Sequence, residues 1–145
     1  MQTKHPTLEQ VLDLLKVCDL PTEDVANLDL SLFLAIEQEN QLAGIIGLEM
    51  HGSSGLLRSL AVTPTHRNSG SGQKLVRDIE ALARSLGLST LYLLTTTAEV
   101  FFERLGYQHI ARHLVSPEIQ ATSEFASICP DSAAVMGKKL TGIQH

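Results

Sequence analysis

At 145 residues the chain has the length of one domain, and a domain of this size withdraws roughly 68–70% of its unfolded surface from water, enough for a real core. An apolar share of 43% with 19% charged residues excludes the compositions of a disordered chain and of a coiled coil. The balance of 11 basic against 16 acidic residues, a net charge of -5, leaves no broad electrostatic footprint for nucleic acid or an anionic membrane, so any phosphate chemistry must be local.

In chain order, Thr7-Leu8-Glu9-Gln10 is a capping-box sequence, and Leu8, Val11, Leu12 and Leu15 follow it at helical spacing. A first helix is predicted, ended by Pro21 or followed there by a short turn, with PTEDVANLDL as a loop or broken helix bordering a substrate pocket. Three apolar runs, Leu32 to Glu37, Leu42 to Glu49 and Leu56 to Val62, are separated by the turn-rich QEN and HGSSG and predict an antiparallel meander. Gly44 and Gly47 weaken the second run as a strand unless a bulge or a close neighbour needs the space.

From Ser71 the period changes: Leu75, Val76, Ile79, Leu82, Ala83 and Leu86 fall on one helical face, and Gly87 supplies a C-terminal cap. Thr90 to Leu94 reads as a buried strand, joined to the strand at 56–62 by a crossover of right-handed βαβ length. Thr96-Thr97-Ala98-Glu99 reads as a second capping box that opens a helix through Arg104, stopped at Gly106. A strand over Tyr107 to Arg112, a short helix at Pro117 behind Ser116, and a last strand over Ala133 to Leu140 complete one α+β domain spanning 1–145, with parallel pairing confined to its centre.

No apolar run approaches the roughly 20 residues of a spanning helix, and MQTKHPTLEQ lacks a signal-peptide core, so a cytoplasmic location and no membrane or nucleic-acid partner are expected. Cys18 and Cys129 form no Cys-x-x-Cys pair and the six histidines are scattered, so no metal is expected.

HRNSGSGQKL, residues 66–75, sets two glycines and two serines behind an arginine at the head of the best-defined helix. The first amides of a helix lack acceptors within it, glycine lets an anion approach them, and the helix dipole adds to the attraction. Arg67 and Lys74 add positive charge, Arg67 with a fork suited to phosphate oxygens. The third glycine of a dinucleotide fingerprint and the Gly-Lys-Ser/Thr of a P-loop are both missing. A pyrophosphate cradle fits better than either.

Leu60-Ala61-Val62-Thr63-Pro64 followed by Arg67-Asn68-Ser69-Gly70-Ser71-Gly72 resembles the strand and Arg/Gln-x-x-Gly-x-Gly/Ala loop of the GCN5-related N-acetyltransferases. AEVFFERLGY, residues 98–107, resembles the same family's later helix and its Leu-Gly-Tyr/Phe ending. Within that family, LLRSLAV, LYLLTTTAEVFFERLGY and EFASICPDSA are similar to the arsenic-resistance N-acetyltransferase subgroup, whose name reflects genetic context and fixes no substrate.

The resemblance implies a GNAT-like fold, a mixed, mostly antiparallel sheet with a splayed central parallel pair, and acetyl-coenzyme A bound where those strands part. It places the pantetheine arm beside Leu60, Ala61 and Val62, the pyrophosphate on residues 67–72 (Arg67, Asn68, Ser69, Gly70, Ser71, Gly72), and Thr97, Phe101 and Arg104 on the cofactor's other side. It also raises a homodimer, because late strands of this family often contribute to one.

Acetyl transfer to a small-molecule amine needs a neutral nitrogen, a donor for the carbonyl oxygen and a departing thiolate. The family suggests the Val62 amide as the oxyanion donor. Many members have Tyr where Phe102 stands; Phe cannot donate a proton, which leaves water, Tyr92 or Tyr107, or no dedicated acid for a thiol of pKa about 8.5. Some members carry an acid where Arg58 stands, and Arg58 could instead hold a carboxylate, favouring an amino acid or related zwitterion as the acceptor. Glu37 and Glu49 are then the carboxylates placed to activate the amine through water, with His51 close behind. Two further readings stay open: an acyl-coenzyme A sensor that has lost catalysis, and metalloid binding through Cys18 and Cys129.

Overall fold

The structure, a computed structural model, describes residues 3–19, 22, 29–67, 70–122 and 133–140. Its strands are β1 (Thr3–Lys4), β2 (Phe33–Gln38), β3 (Gln41–His51), β4 (Ser54–Val62), β5 (Thr90–Thr95), β6 (Gln108–His109) and β7 (Ala134–Lys139). The helices are α1 (Leu8–Val17), α2 (Ser71–Ser85), α3 (Glu99–Arg104) and α4 (Pro117–Gln120), with 3-10 turns at Leu30–Leu32, Pro64–His66 and Arg112–Leu114. Among the described residues the strands follow the order β1-β2-β3-β4-β5-β7-β6, and the pairing of β4 with β5 is parallel, which is the mixed α+β class predicted. Two compact units divide the chain, 1–49 with 58–82, and 50–57 with 83–145.

In the first unit, the Thr7 hydroxyl accepts from the Gln10 amide while the Gln10 side chain accepts from the Thr7 amide, so α1 starts on a complete capping box. Val11, Leu14 and Leu15 then pack with Phe33, Ala35, Ile45 and Ala61 on one sheet face. Gly44 has the opposite parity to Ile45, and a Cβ there would lie 3.0 Å from Leu75 Cδ1, so α2 covers the other face. Glu39 and Asn40, with φ of 53° and 63°, make the tight two-residue turn between β2 and β3. The register slips once, between Ile36 and Glu37, and leaves Ala43 as the extra residue; its carbonyl accepts from the Thr63 amide at 2.8 Å.

The glycines in β3 are there for close neighbours. A Cβ on Gly47 would stand 2.6 Å from two ring carbons of the fully buried Phe33. Gly47→Ala should therefore cost about 2 kcal/mol by overpacking, read as a lower urea midpoint with an unchanged slope, and Gly47→Ala with Phe33→Leu should recover part of it.

In the second unit, Leu56, Val115, Ile119 and Val135 form a core flanked by Tyr92, Leu94 and Ile110. The parallel register joins Ser54, Gly55 and Leu56 to Thr90, Leu91 and Tyr92, and β7 lines the whole of β5. Gly87 (φ 83°) ends α2 with Leu88 N–H on the Ala83 carbonyl and its own N–H on Arg84; Gly106 (φ 96°) ends α3 the same way on Phe102 and Glu103.

Four sequence-based expectations are corrected here. Thr96 is not the cap of α3: the helix begins at Glu99 behind Ala98, which makes no side-chain cap bond, while Thr95 Oγ1 accepts from the Thr97 and Ala98 amides at 3.3 and 2.9 Å in the turn before it. The strand predicted over 107–112 shrinks to Gln108–His109, since Tyr107 turns its ring into the core and Arg112 begins a 3-10 turn. Leu32 belongs to a 3-10 turn capped by Asp29, whose carboxylate accepts from the Ser31 amide at 2.9 Å. Leu86, read as part of the buried face of α2, is 40% exposed because the helix has ended at Ser85.

Candidate functional site

Most candidate residues of the first unit lie along the second half of β4 and beyond it, with Glu49 near the end of β3 and Glu37 on β2. Ser59 adopts φ 59°, a left-handed conformation that is rare for a non-glycine residue inside a strand. Arg58 reaches Glu49, which shares its parity with Ile45, while Ala61 packs in the α1 cluster three residues later. Positions three apart cannot share a face of a regular strand, so the turn at Ser59 acts as a bulge that re-aims Leu60, Ala61 and Val62. Sequence reading missed Ser59; serine carries none of the signal a glycine would have given.

Arg58 Nη1 donates to Glu49 Oε2 at 2.6 Å, with side-chain exposures of only 2% and 13%. The Arg58 Nε also donates to Ser59 Oγ at 3.2 Å, tying the guanidinium to the bulge. Glu37 is placed differently. It forms a 2.7 Å surface ion pair with Lys4 and lies opposite Leu42, whereas Glu49 is roughly 20 Å farther along β3 at about 3.3 Å per residue. The structure thus does not bring the two candidate carboxylates together.

Beyond Val62 the chain makes a 3-10 turn through Pro64 to His66. His66 is buried, and its Nδ1 shares a 2.7 Å hydrogen bond with Thr63 Oγ1. Arg67 folds back, its Nε donating to the Val62 carbonyl at 3.0 Å, and the Cys18 thiol reaches the same oxygen at 3.6 Å. Asn68 and Ser69 lie outside the described residues. Gly70 has φ 89°, open space where a Cβ would stand, and a carbonyl that accepts from Lys74 N–H, so the first turn of α2 opens at Ser71 and Gly72. An anion approaching this helix terminus meets glycine on its way in, and the residues present fit a pyrophosphate. Ser71 itself is buried, and its hydroxyl accepts from Gln38 Nε2 at 2.7 Å.

In the second unit, Thr97 and Arg104 are exposed and Phe101 is half-buried, its ring edge-on to Phe102 at 5.1 Å. Phe102 is buried between Phe101 and Tyr107, and Tyr107 is itself buried beneath the Lys138 ammonium. Tyr92 packs beside the Leu56–Val135 core. His51 closes β3, half-buried. Cys129 lies outside the described residues; among those described, no three His, Cys, Asp or Glu side chains are disposed to hold a metal, and no helix is long and apolar enough to cross a membrane.

A bulged strand leading towards an open helix N-terminus behind Gly70 is an arrangement suited to a phosphate-bearing ligand. The family model for the acetyltransferase (GNAT) domain matches residues 29–109, and the chain belongs to that family. An amino-acid acetyltransferase from Azotobacter vinelandii is 35% identical over 60% of this chain and 21% of its own length. The chain thus spans about a fifth of the curated relatives it matches. Among solved structures, N-acetylglutamate synthase from Neisseria gonorrhoeae, complexed with coenzyme A and N-acetyl-glutamate, superposes with a TM-score of 0.82 at 19% identity over 96% of this chain and 35% of that one. A Mycobacterium tuberculosis protein in complex with coenzyme A gives 0.77 at 22% identity over 96% and 99%.

Proposed function

We propose that the chain is an N-acetyltransferase that moves the acetyl group of acetyl-coenzyme A to the amine of a small acceptor carrying a carboxylate, an amino acid or related zwitterion. The observation that carries this reading is the buried Arg58–Glu49 pair on the two strands beside the glycine loop. A fixed guanidinium supplies charge for a carboxylate, and the partly exposed Glu49 supplies a base for the adjoining ammonium, directly or through one water. The amino-acid acetyltransferases among its relatives support the same acceptor class.

In this reading the amine nitrogen, once neutral, attacks the thioester carbonyl. The Val62 N–H stabilises the charge that develops on its oxygen. The nitrogen gives up a proton to water, the carbon–sulfur bond breaks, and the departing thiolate takes a proton back from water, because the aromatic ring at Phe102 has none to give. Glu49 is favoured over Glu37, which is held by Lys4 at the far end of the hairpin. The roles of Leu60, Ala61, Asn68 and Ser69 in holding the donor, and of Thr97, Phe101 and Arg104, are supported by the resemblance of their motifs. The same kind of support extends the proposal to a homodimer and to the arsenic-resistance setting.

A panel of amino acids, aminoglycosides, polyamines and peptides, followed by thiol release from acetyl-coenzyme A, tests the assignment. Acceptor-dependent release confined to carboxylate-bearing amines is the expected result. Glu49→Gln should lower kcat about a hundredfold or more in folded protein, and Glu37→Gln should leave it within about twofold of the parent. Donor binding with no release across the panel would favour the alternative, an acyl-coenzyme A sensor, which the buried Phe102 motivates.

A further inference from the structure

We propose that Gln38 is a positioning residue for the donor-binding loop, acting through the buried hydroxyl of Ser71. This inference rests on the acetyl-coenzyme A reading above and adds to it a residue that touches neither donor nor acceptor. Gln38 ends β2, and its register with Gln41 across the Glu39–Asn40 turn fixes where its backbone sits. From there its Nε2 donates to Ser71 Oγ at 2.7 Å, across 33 residues of sequence. Ser71 is 1% exposed and is the first residue of α2, the turn whose amides receive the donor's phosphates.

A glycine-rich segment is poorly suited to holding that turn by itself. Gly70 is exposed, with no atom within 4 Å of the place a side chain would occupy, so packing does not restrain it. Free glycine backbone also loses more conformational freedom on ordering than any other residue. Two hydrogen bonds flank Gly70 in sequence. Arg67 Nε donates to the Val62 carbonyl on one side, and Gln38 ties Ser71 to the β2–β3 hairpin on the other. A helix terminus already held in place pays less entropy when the phosphates arrive, so the link contributes to donor affinity and not to the chemical step. The amide is also neutral. It holds the helix terminus without placing a negative charge beside the phosphates.

Calorimetric titration of coenzyme A into the folded parent, Gln38→Leu, Ser71→Ala and the double variant tests this. Each single variant should raise Kd about tenfold, the size of one lost hydrogen bond, and the double variant should lose no more than the worse single one. Adenosine 3′-phosphate 5′-diphosphate, which keeps the phosphates and lacks the thiol arm, should lose the same factor. Pantetheine, measured by competition, should lose none. Gln38→Glu can still bond the Ser71 hydroxyl as an acceptor, so it should bind coenzyme A weakly at low salt and recover towards the parent at high salt, where its added charge is screened. Unchanged affinity in both single variants would overturn the proposal. So would an equal loss for pantetheine, which marks general loosening, or a Gln38→Glu variant that salt does not rescue. If the parent itself binds pantetheine as tightly as coenzyme A, the pyrophosphate reading of the loop fails first, and this inference fails with it.

Discussion

Replacing Gly70 and Gly72 together by Asp should weaken coenzyme A binding at least a hundredfold in a protein that remains folded. Two carboxylates would stand where the phosphates are to lie, and a single like-charge pair about 4 Å apart at a protein surface is worth about 4 kcal/mol. That is roughly a thousandfold in Kd before relaxation and salt reduce it. The helix itself should tolerate the change. Acidic side chains in a first helical turn interact favourably with the dipole, and α2 is held by the buried Leu75, Val76, Ile79 and Ala83. The left-handed φ of Gly70 adds about 1–2 kcal/mol of strain, which melting will register as a modest loss of stability. Gly70→Ala separates the contributions, because it brings the strain into open space without the charge. Calorimetry is the measurement. Parent-like affinity in a folded double-Asp variant would remove the loop from the donor site.

The second large effect concerns Arg58 and Glu49. Removing one partner of a buried pair leaves the other charge out of water without that counter-charge, at a cost of about 3 kcal/mol or more. Glu49→Met takes the carboxylate away from the more deeply buried group, a guanidinium 2% exposed, so it should be the worse single variant, with a fall in Tm of about 10 °C for a chain of this length. Arg58→Met leaves a carboxylate that is 13% exposed and can recover some hydration, so it should cost less. The double variant Glu49→Met with Arg58→Met should be more stable than Glu49→Met alone, because neither charge is then buried. Additive losses in the thermal melts would show that the two side chains are not coupled. On activity the same variants part ways with stability. Arg58→Met should raise KM for amino-acid acceptors more than for amines lacking a carboxylate, whereas the double variant, though more stable than Glu49→Met, should stay inactive.

Much of the fold was legible because its signals are local. The Thr7–Gln10 capping box, the helix-ending Gly87 and Gly106, and the apolar runs of the meander each depend on a few consecutive residues, and the structure has them where the pattern says. The errors fall where a neighbour in space competed. Thr95 bonds the amides of the turn ahead of α3, whose cap is Ala98 and not Thr96, and Tyr107 left its strand for the core. The site divides in the same way. HRNSGSGQKL can be read as an anion loop from composition and order alone, whereas Gln38 looks in sequence like an ordinary polar strand end and shows its partner only once β2 and α2 are packed.

The amino-acid sequence by itself determined the class of this protein: an α+β chain with the loop of an acetyltransferase, because glycine spacing, caps and hydrophobic period are properties of neighbours along the backbone. Only the tertiary structure decided which carboxylate stands beside Arg58. Glu37 and Glu49 are equivalent on paper, each near the end of a short apolar run. The antiparallel register sends them to opposite ends of one hairpin, Glu37 to a surface lysine and Glu49 to a guanidinium nearly sealed from water.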